Sequence, residues 1–129
     1  MSPSMSAMPV GFTDGVRRFN AGEFFEAHEA FEELLDEVES DQRWDLLVAL
    51  IQVAVGYHKG SSGYPGAAKM LRLGAEKLAP FPAEAWGVAV EALRRRIADD
   101  LELLDAGGSL PERLTESPPR IELTVDRRA

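Results

Sequence analysis

Cysteine is absent from this 129-residue chain, which excludes disulfides, thiolate metal sites and cysteine nucleophiles together. Positive charge is scarce: 14 Lys and Arg stand against 22 Asp and Glu, leaving a net charge of -8 at neutral pH. That balance repels phosphate backbones and anionic lipid surfaces, so neither nucleic acid nor membrane is an expected partner. No segment approaches the uncharged length of ~20 residues that spans a bilayer. The opening MSPSMSAMPV lacks a basic region followed by an apolar run, and a cytoplasmic location is the resulting expectation. Signatures of phosphate or acyl chemistry are missing as well. GSSG at 60–63 has no lysine and no preceding strand, and no G-x-S-x-G occurs.

What is present is a 45% hydrophobic chain of the length of one domain, with apolar residues at helical spacing through most of it. Residues 1–9 are Ser, Pro and Met without period and read as a disordered tail. Phe12, Val16 and Phe19 predict a short first helix, which Asn20 and Gly22 can end. Phe24, Ala27, Phe31, Leu34, Leu35 and Val38 predict a second from Glu23 to about Glu39. A third runs from Gln42 to about Lys59 on Trp44, Leu47, Val48, Ile51, Ala54 and Val55, capped by Ser40 or Asp41 and stopped at Gly60. Ala67, Met70, Leu71, Gly74 and Leu78 make the fourth, with Pro65 in its first turn. Pro82 opens a fifth through Trp86, Val90, Leu93, Ile97, Leu101 and Leu104, ended by Gly107 and Gly108. Residues 109–129 alternate Ile121, Leu123 and Val125 with polar residues after three prolines, an extended strap or tail without a strand to pair with. The expected fold class is all-α: a five-helix bundle of antiparallel helical hairpins over residues 10–108, with an extended C-terminal tail.

Charge is uneven along this pattern. Ten acids fall between Glu23 and Asp45 against the single base Arg43, and most are expected on a solvated face. A few are not. On a wheel of about 100° per residue, Phe24, Phe31 and Leu35 lie within about 60° of His28, and Glu32 lies about 40° to its other side, between His28 and Phe25. The pair is one turn apart and within reach of contact. On the third helix His58 falls within about 20° of Ile51, with Gln52 on the flank. If the second and third helices are antiparallel neighbours, His28 and His58 approach each other, and Glu29 and Gln52 sit at the rim. Trp44 and Trp86 read as core anchors.

Two imidazoles and a carboxylate turned inward admit three readings. They can satisfy each other as a buried network that sets helix register. They can line a pocket for a small ligand or protein partner. Or His28, Glu32 and His58 can hold a divalent metal with Glu29 as base, as in a metal-dependent hydrolase. Neither the zincin spacing, which needs histidine where Glu32 stands, nor the Glu-x-x-His spacing of di-iron bundles is met. A further alternative is an acidic scaffold surface built on Glu26, Glu33 and Glu37. Ligand identity and oligomeric state are not written in the sequence.

The run Phe19-Asn20-Ala21-Gly22-Glu23-Phe24-Phe25-Glu26-Ala27-His28-Glu29, followed by Glu32-Glu33, Leu50-Ile51-Gln52-Val53-Ala54, Tyr57-His58, Gly66-Ala67-Ala68 and Leu71, resembles the domain-of-unknown-function family 309. The resemblance covers roughly residues 12 to 80 and departs from the family pattern at Leu35, where tryptophan is expected. It implies an all-α fold and candidate positions Glu26, His28, Glu29, Glu32, Gln52 and His58, and it supplies no reaction.

Overall fold

A computed structural model describes residues 7–124; the first six residues of the expected tail, and Val125 of the strap, lie outside that range. Among the described residues the chain is mostly helical: α1 (Phe12–Asn20), α2 (Phe24–Glu32), a 3-10 turn (Leu35–Val38), α3 (Gln42–Ser62), α4 (Ala67–Leu78), α5 (Val90–Asp105) and α6 (Leu110–Glu116), with a two-stranded hairpin, β1 (Glu84–Ala85) and β2 (Val88–Ala89), before α5. The core runs through Phe12, Phe19, Phe31, Leu46, Leu50, Tyr57, Leu71, Leu93 and Ile97.

The second helix is shorter than its apolar stripe predicts. It ends at Glu32 and the chain tightens into the 3-10 turn. Glu29, Glu32, Glu33, Asp36, Glu37 and Glu39 would all crowd the negative end of a longer helix, with no base to offset them. The tighter winding still buries Leu34 and Val38 and leaves Leu35 half-buried. Asp41 caps α3 as expected, accepting from the Arg43 N–H. Gly60 does not stop that helix. It is a notch in which Leu110 of α6 sits, since a Cβ there would lie 2.5 Å from Leu110 Cδ1; the helix runs on to Ser62 and ends at the left-handed Gly63.

α3 and α4 are antiparallel, for Gly56 faces Leu71 while Gly74 faces Val53 and the Ala49 carbonyl. At Gly74 an added Cβ would lie 2.6 Å from Val53 Cγ2 and 3.3 Å from the Ala49 oxygen. Helix propensity alone favours alanine over glycine by about 1 kcal/mol, whereas forcing a methyl into a close-packed helix contact costs about 1–3 kcal/mol. Packing decides the sign. Gly74→Ala is expected to lower the urea midpoint at unchanged m-value; a raised midpoint would mean the two helices separate easily.

Three expectations fail beyond α4. The fifth helix does not begin at Pro82: Glu84 pairs with Ala89 and Ala85 with Val88 across the two-residue turn Trp86–Gly87, whose φ values are 48° and 81°. Both central residues have positive φ, as the twist of a tight hairpin demands, and Pro65 likewise precedes its helix, which starts after Gly66. The segment 110–116, read as part of an extended strap, is helical. Its signal is present in the sequence as Ser109-Leu-Pro111-Glu112, a cap-type residue with proline in the first turn and glutamate three residues on. The strap proper does find a partner. The Ala89 N–H donates to the Glu122 carbonyl at 2.9 Å and the Thr124 N–H to the Gly87 carbonyl at 2.7 Å, which lays residues 122–124 beside β2.

Candidate functional site

The side of α2 that meets the core carries Phe24, Ala27 and Phe31. Phe25 lies outside it and is 45% exposed. Counting Phe25 as interior is what drew Glu32 into the apolar arc, and Glu32 is in fact exposed. The centre of α3 is shifted in the same way. Its apolar residues extend almost all round, and the buried residues include Leu46, Leu50, Val53 and Tyr57; of the expected stripe Leu47 and Ala54 are buried, while Trp44, Val48, Ile51 and Val55 are not. His28 and His58 consequently sit at the edge of the core, half-buried, and not within it. Trp44 is not a core anchor either: it is surface-exposed beneath the Lys77 ammonium, 5.9 Å from the ring centre. Trp86 is half-buried against Phe81.

The two imidazoles nevertheless share one cleft of about 290 Å³, lined by Phe25, His28, Val55, His58, Lys59 and Tyr64. Phe25 stands between them, its ring centre 4.9 Å from His28 and 5.3 Å from His58. Tyr64, 58% exposed, closes the other side of His58 at 6.0 Å. His28 is oriented from its own helix. Its Nδ1 lies 2.7 Å from the Phe25 carbonyl oxygen; an oxygen there only accepts, so Nδ1 carries the proton and donates. Nε2 then faces Glu32 Oε1 at 3.7 Å, too long for a hydrogen bond but short enough that a proton on Nε2 makes the approach an ion pair. One ring nitrogen of His28, Nδ1, is thereby held in a hydrogen bond. His58 makes no ring hydrogen bond to the described residues and lines the cleft.

Of the other candidates, Glu26 and Glu29 are exposed on α2, and Gln52 is half-buried on α3. Gln52 lies one turn from Val55, and its Oε1 is buried without a partner among the described residues. The metal reading loses its geometry: among the described residues no three His, Asp or Glu side chains come together as a group able to hold a metal ion. His28 and Glu32 approach each other, while Phe25 stands between the two rings. No described helix is long and apolar enough to cross a membrane.

The buried polar network that the sequence suggested exists elsewhere. Asp100 on α5 is wholly buried. Its Oδ2 accepts from the Tyr57 hydroxyl at 2.6 Å and from Arg96 Nε at 2.8 Å, and its Oδ1 accepts from Arg113 Nε at 2.8 Å. Arg96 also donates to the Ser117 carbonyl, so one carboxylate ties α3, α5, α6 and the start of the strap. Burial first, and then the Asp100 charge, push the Tyr57 hydroxyl far above its ordinary pKa of 10.0. Asp100 follows Ile97 by three residues and Leu93 by seven, the spacing of one helix face, and that was the available signal. A second clamp explains Asn20. Its side-chain amide donates to the Ile121 carbonyl at 3.0 Å and accepts from the Ile121 N–H at 2.7 Å, pinning the strap as a neighbouring strand would.

Residues 12–71 match the family model described as Domain of unknown function (DUF309). The matched segment spans α1 through the first turn and more of α4, so the cleft and Asn20 fall inside it and Asp100 outside. No curated protein matches the chain.

Proposed function

We propose that the chain is a binding module whose working surface is the cleft between α2 and the C-terminal end of α3. The observation that supports it is the grouping of Phe25, His28, His58 and Tyr64 around one opening, with two large aromatic side chains left 45% and 58% exposed there. Neither ring contributes its full burial to stability at this position, where each forgoes part of the ~25 cal/mol per Å² that buried apolar area contributes. Apolar side chains beside a few oriented polar groups are the usual make-up of a small-ligand pocket. His28 is a positioned wall of this cleft, held through Nδ1 by the Phe25 carbonyl, and His58, whose ring makes no hydrogen bond to the described residues, is the group left to bond an occupant. Glu26, Glu29, Glu32 and Gln52 lie outside the lining of the cleft.

A fragment screen tests this on the full chain, read through the Cε1–H resonances of the two histidines. Because the chain holds two histidines, those signals report the cleft directly. Fragments that move both resonances together, and lose the effect in His58→Ala and in Phe25→Ala, support the module. Shifts scattered over the surface with neither histidine affected would sink it.

A further inference from the structure

We infer that the occupant of this cleft is a small aromatic carboxylate, an inference that rests on the binding-module reading and specifies its ligand. The chain carries -8 overall, and α2, which forms one wall, carries acids at Glu26, Glu29 and Glu32. Yet the cleft is lined by Phe25, His28, Val55, His58, Lys59 and Tyr64, with no carboxylate among them. The nearby Glu32 is turned to His28 Nε2 at 3.7 Å and lies outside the lining. The lining thus carries one cationic side chain, Lys59, beside His58, and both side-chain types donate hydrogen bonds to an anion.

Shape supplies the second half of the inference. Phe25 meets His58 at 53° between ring planes and Tyr64 meets it at 67°, so three rings set at angles to one another line the cleft, with the apolar Val55 among them. A planar ring entering there makes the offset or edge-on contacts that aromatic pairs prefer. The volume of about 290 Å³ lies just below the ~300–1,000 Å³ range of ligand pockets, which suits one ring with its substituent rather than a nucleotide. An aromatic cation would meet Lys59 with like charge and find no lining carboxylate, and a bare inorganic anion would leave the ring walls without a partner.

Titration of the full chain with benzoate, benzylamine and inorganic phosphate, followed on the histidine resonances and by calorimetry, separates these. Benzoate is expected to bind at least tenfold more tightly than either of the others. Lys59→Gln combined with His58→Gln is expected to weaken it at least tenfold while the far-ultraviolet circular dichroism is unchanged; Phe25→Leu, which keeps apolar bulk, gives a second reading if that pair fails to fold, again weakening benzoate. Benzylamine binding as well as benzoate overturns the charge assignment and leaves the binding module standing. Phosphate binding as well as benzoate overturns the ring. Silence of all three probes overturns the aromatic carboxylate, and the module falls with it only if the fragment screen is silent too.

Discussion

Asp100→Ala is expected to be among the most damaging single substitutions in the chain, costing about 3–5 kcal/mol, the usual result of removing one partner from a buried ion pair. The carboxylate holds the Tyr57 hydroxyl and the guanidinium groups of Arg96 and Arg113. Its loss leaves a buried hydroxyl without an acceptor and two positive groups facing each other across an empty space. Domains of this size are stabilised by about 5–15 kcal/mol in total, so such a loss approaches global unfolding. Urea denaturation measures it, and hydrogen exchange locates it: α6 and the strap, which Arg113 and the Arg96–Ser117 contact fasten, should lose protection first. Asp99→Ala, at the exposed neighbouring position, is the control and should stay within about 0.5 kcal/mol of the parent. Equal effects at the two positions would show that the network contributes nothing beyond local helix energetics.

Tyr57→Phe is expected to cost about 1.5–3 kcal/mol at neutral pH, the range for a hydrogen bond to a charged group, and to change how stability responds to alkali. The folded-state pKa of Tyr57 is raised above the unfolded 10.0, by burial and then by the Asp100 charge. For a raised pKa the stabilising contribution is complete below the unfolded value and is lost as pH rises above it, because the unfolded chain releases a proton that the folded chain retains. The loss grows by about 1.4 kcal/mol for each pH unit above 10. The phenylalanine variant has no such proton, so the difference between parent and variant should narrow on going from pH 9 to pH 11. A gap that stays constant over that interval would mean the hydroxyl is not held neutral in the fold.

The helices themselves were legible because their apolar residues recur at 3.6-residue spacing, and α1, α3 and α4 lie close to where that spacing puts them. Three departures share one cause: local rules were outweighed by contacts with distant segments. Gly60 reads as a terminator and is a notch for Leu110. Pro82 reads as a helix start, whereas the Trp86–Gly87 turn is held in a hairpin whose free edge is covered by residues 122–124. The strap reads as partnerless and is paired with β2 and with Asn20. The break after Glu32 and the helix α6 have local origins, the first in the accumulation of acids at a helix C-terminus and the second in the Ser109-to-Glu112 start signal.

For the candidate site, the approach of the two histidines was readable and their depth was not. His28 and His58 do face one opening, as the antiparallel reading of their helices requires, and Phe25 sets their separation. Their burial was overestimated because a wheel weights every apolar residue as interior, and Phe25 is not. Asp100 was passed over for the complementary reason: a carboxylate on an inner face reads as a break in the stripe unless its arginine partners are known to converge on it.

Residue order alone determined the mostly helical class, the family resemblance over the first half of the chain, the absence of thiol chemistry and the identity of the side chains available to a site. Those properties follow from composition and from near-neighbour periodicity, which involve residues within a turn or two of each other. Which polar group is buried, which aromatic is exposed and which glycine admits a neighbour were decided by tertiary structure. Each depends on segments tens of residues apart arriving at the same place, as Tyr57 and Asp100 do.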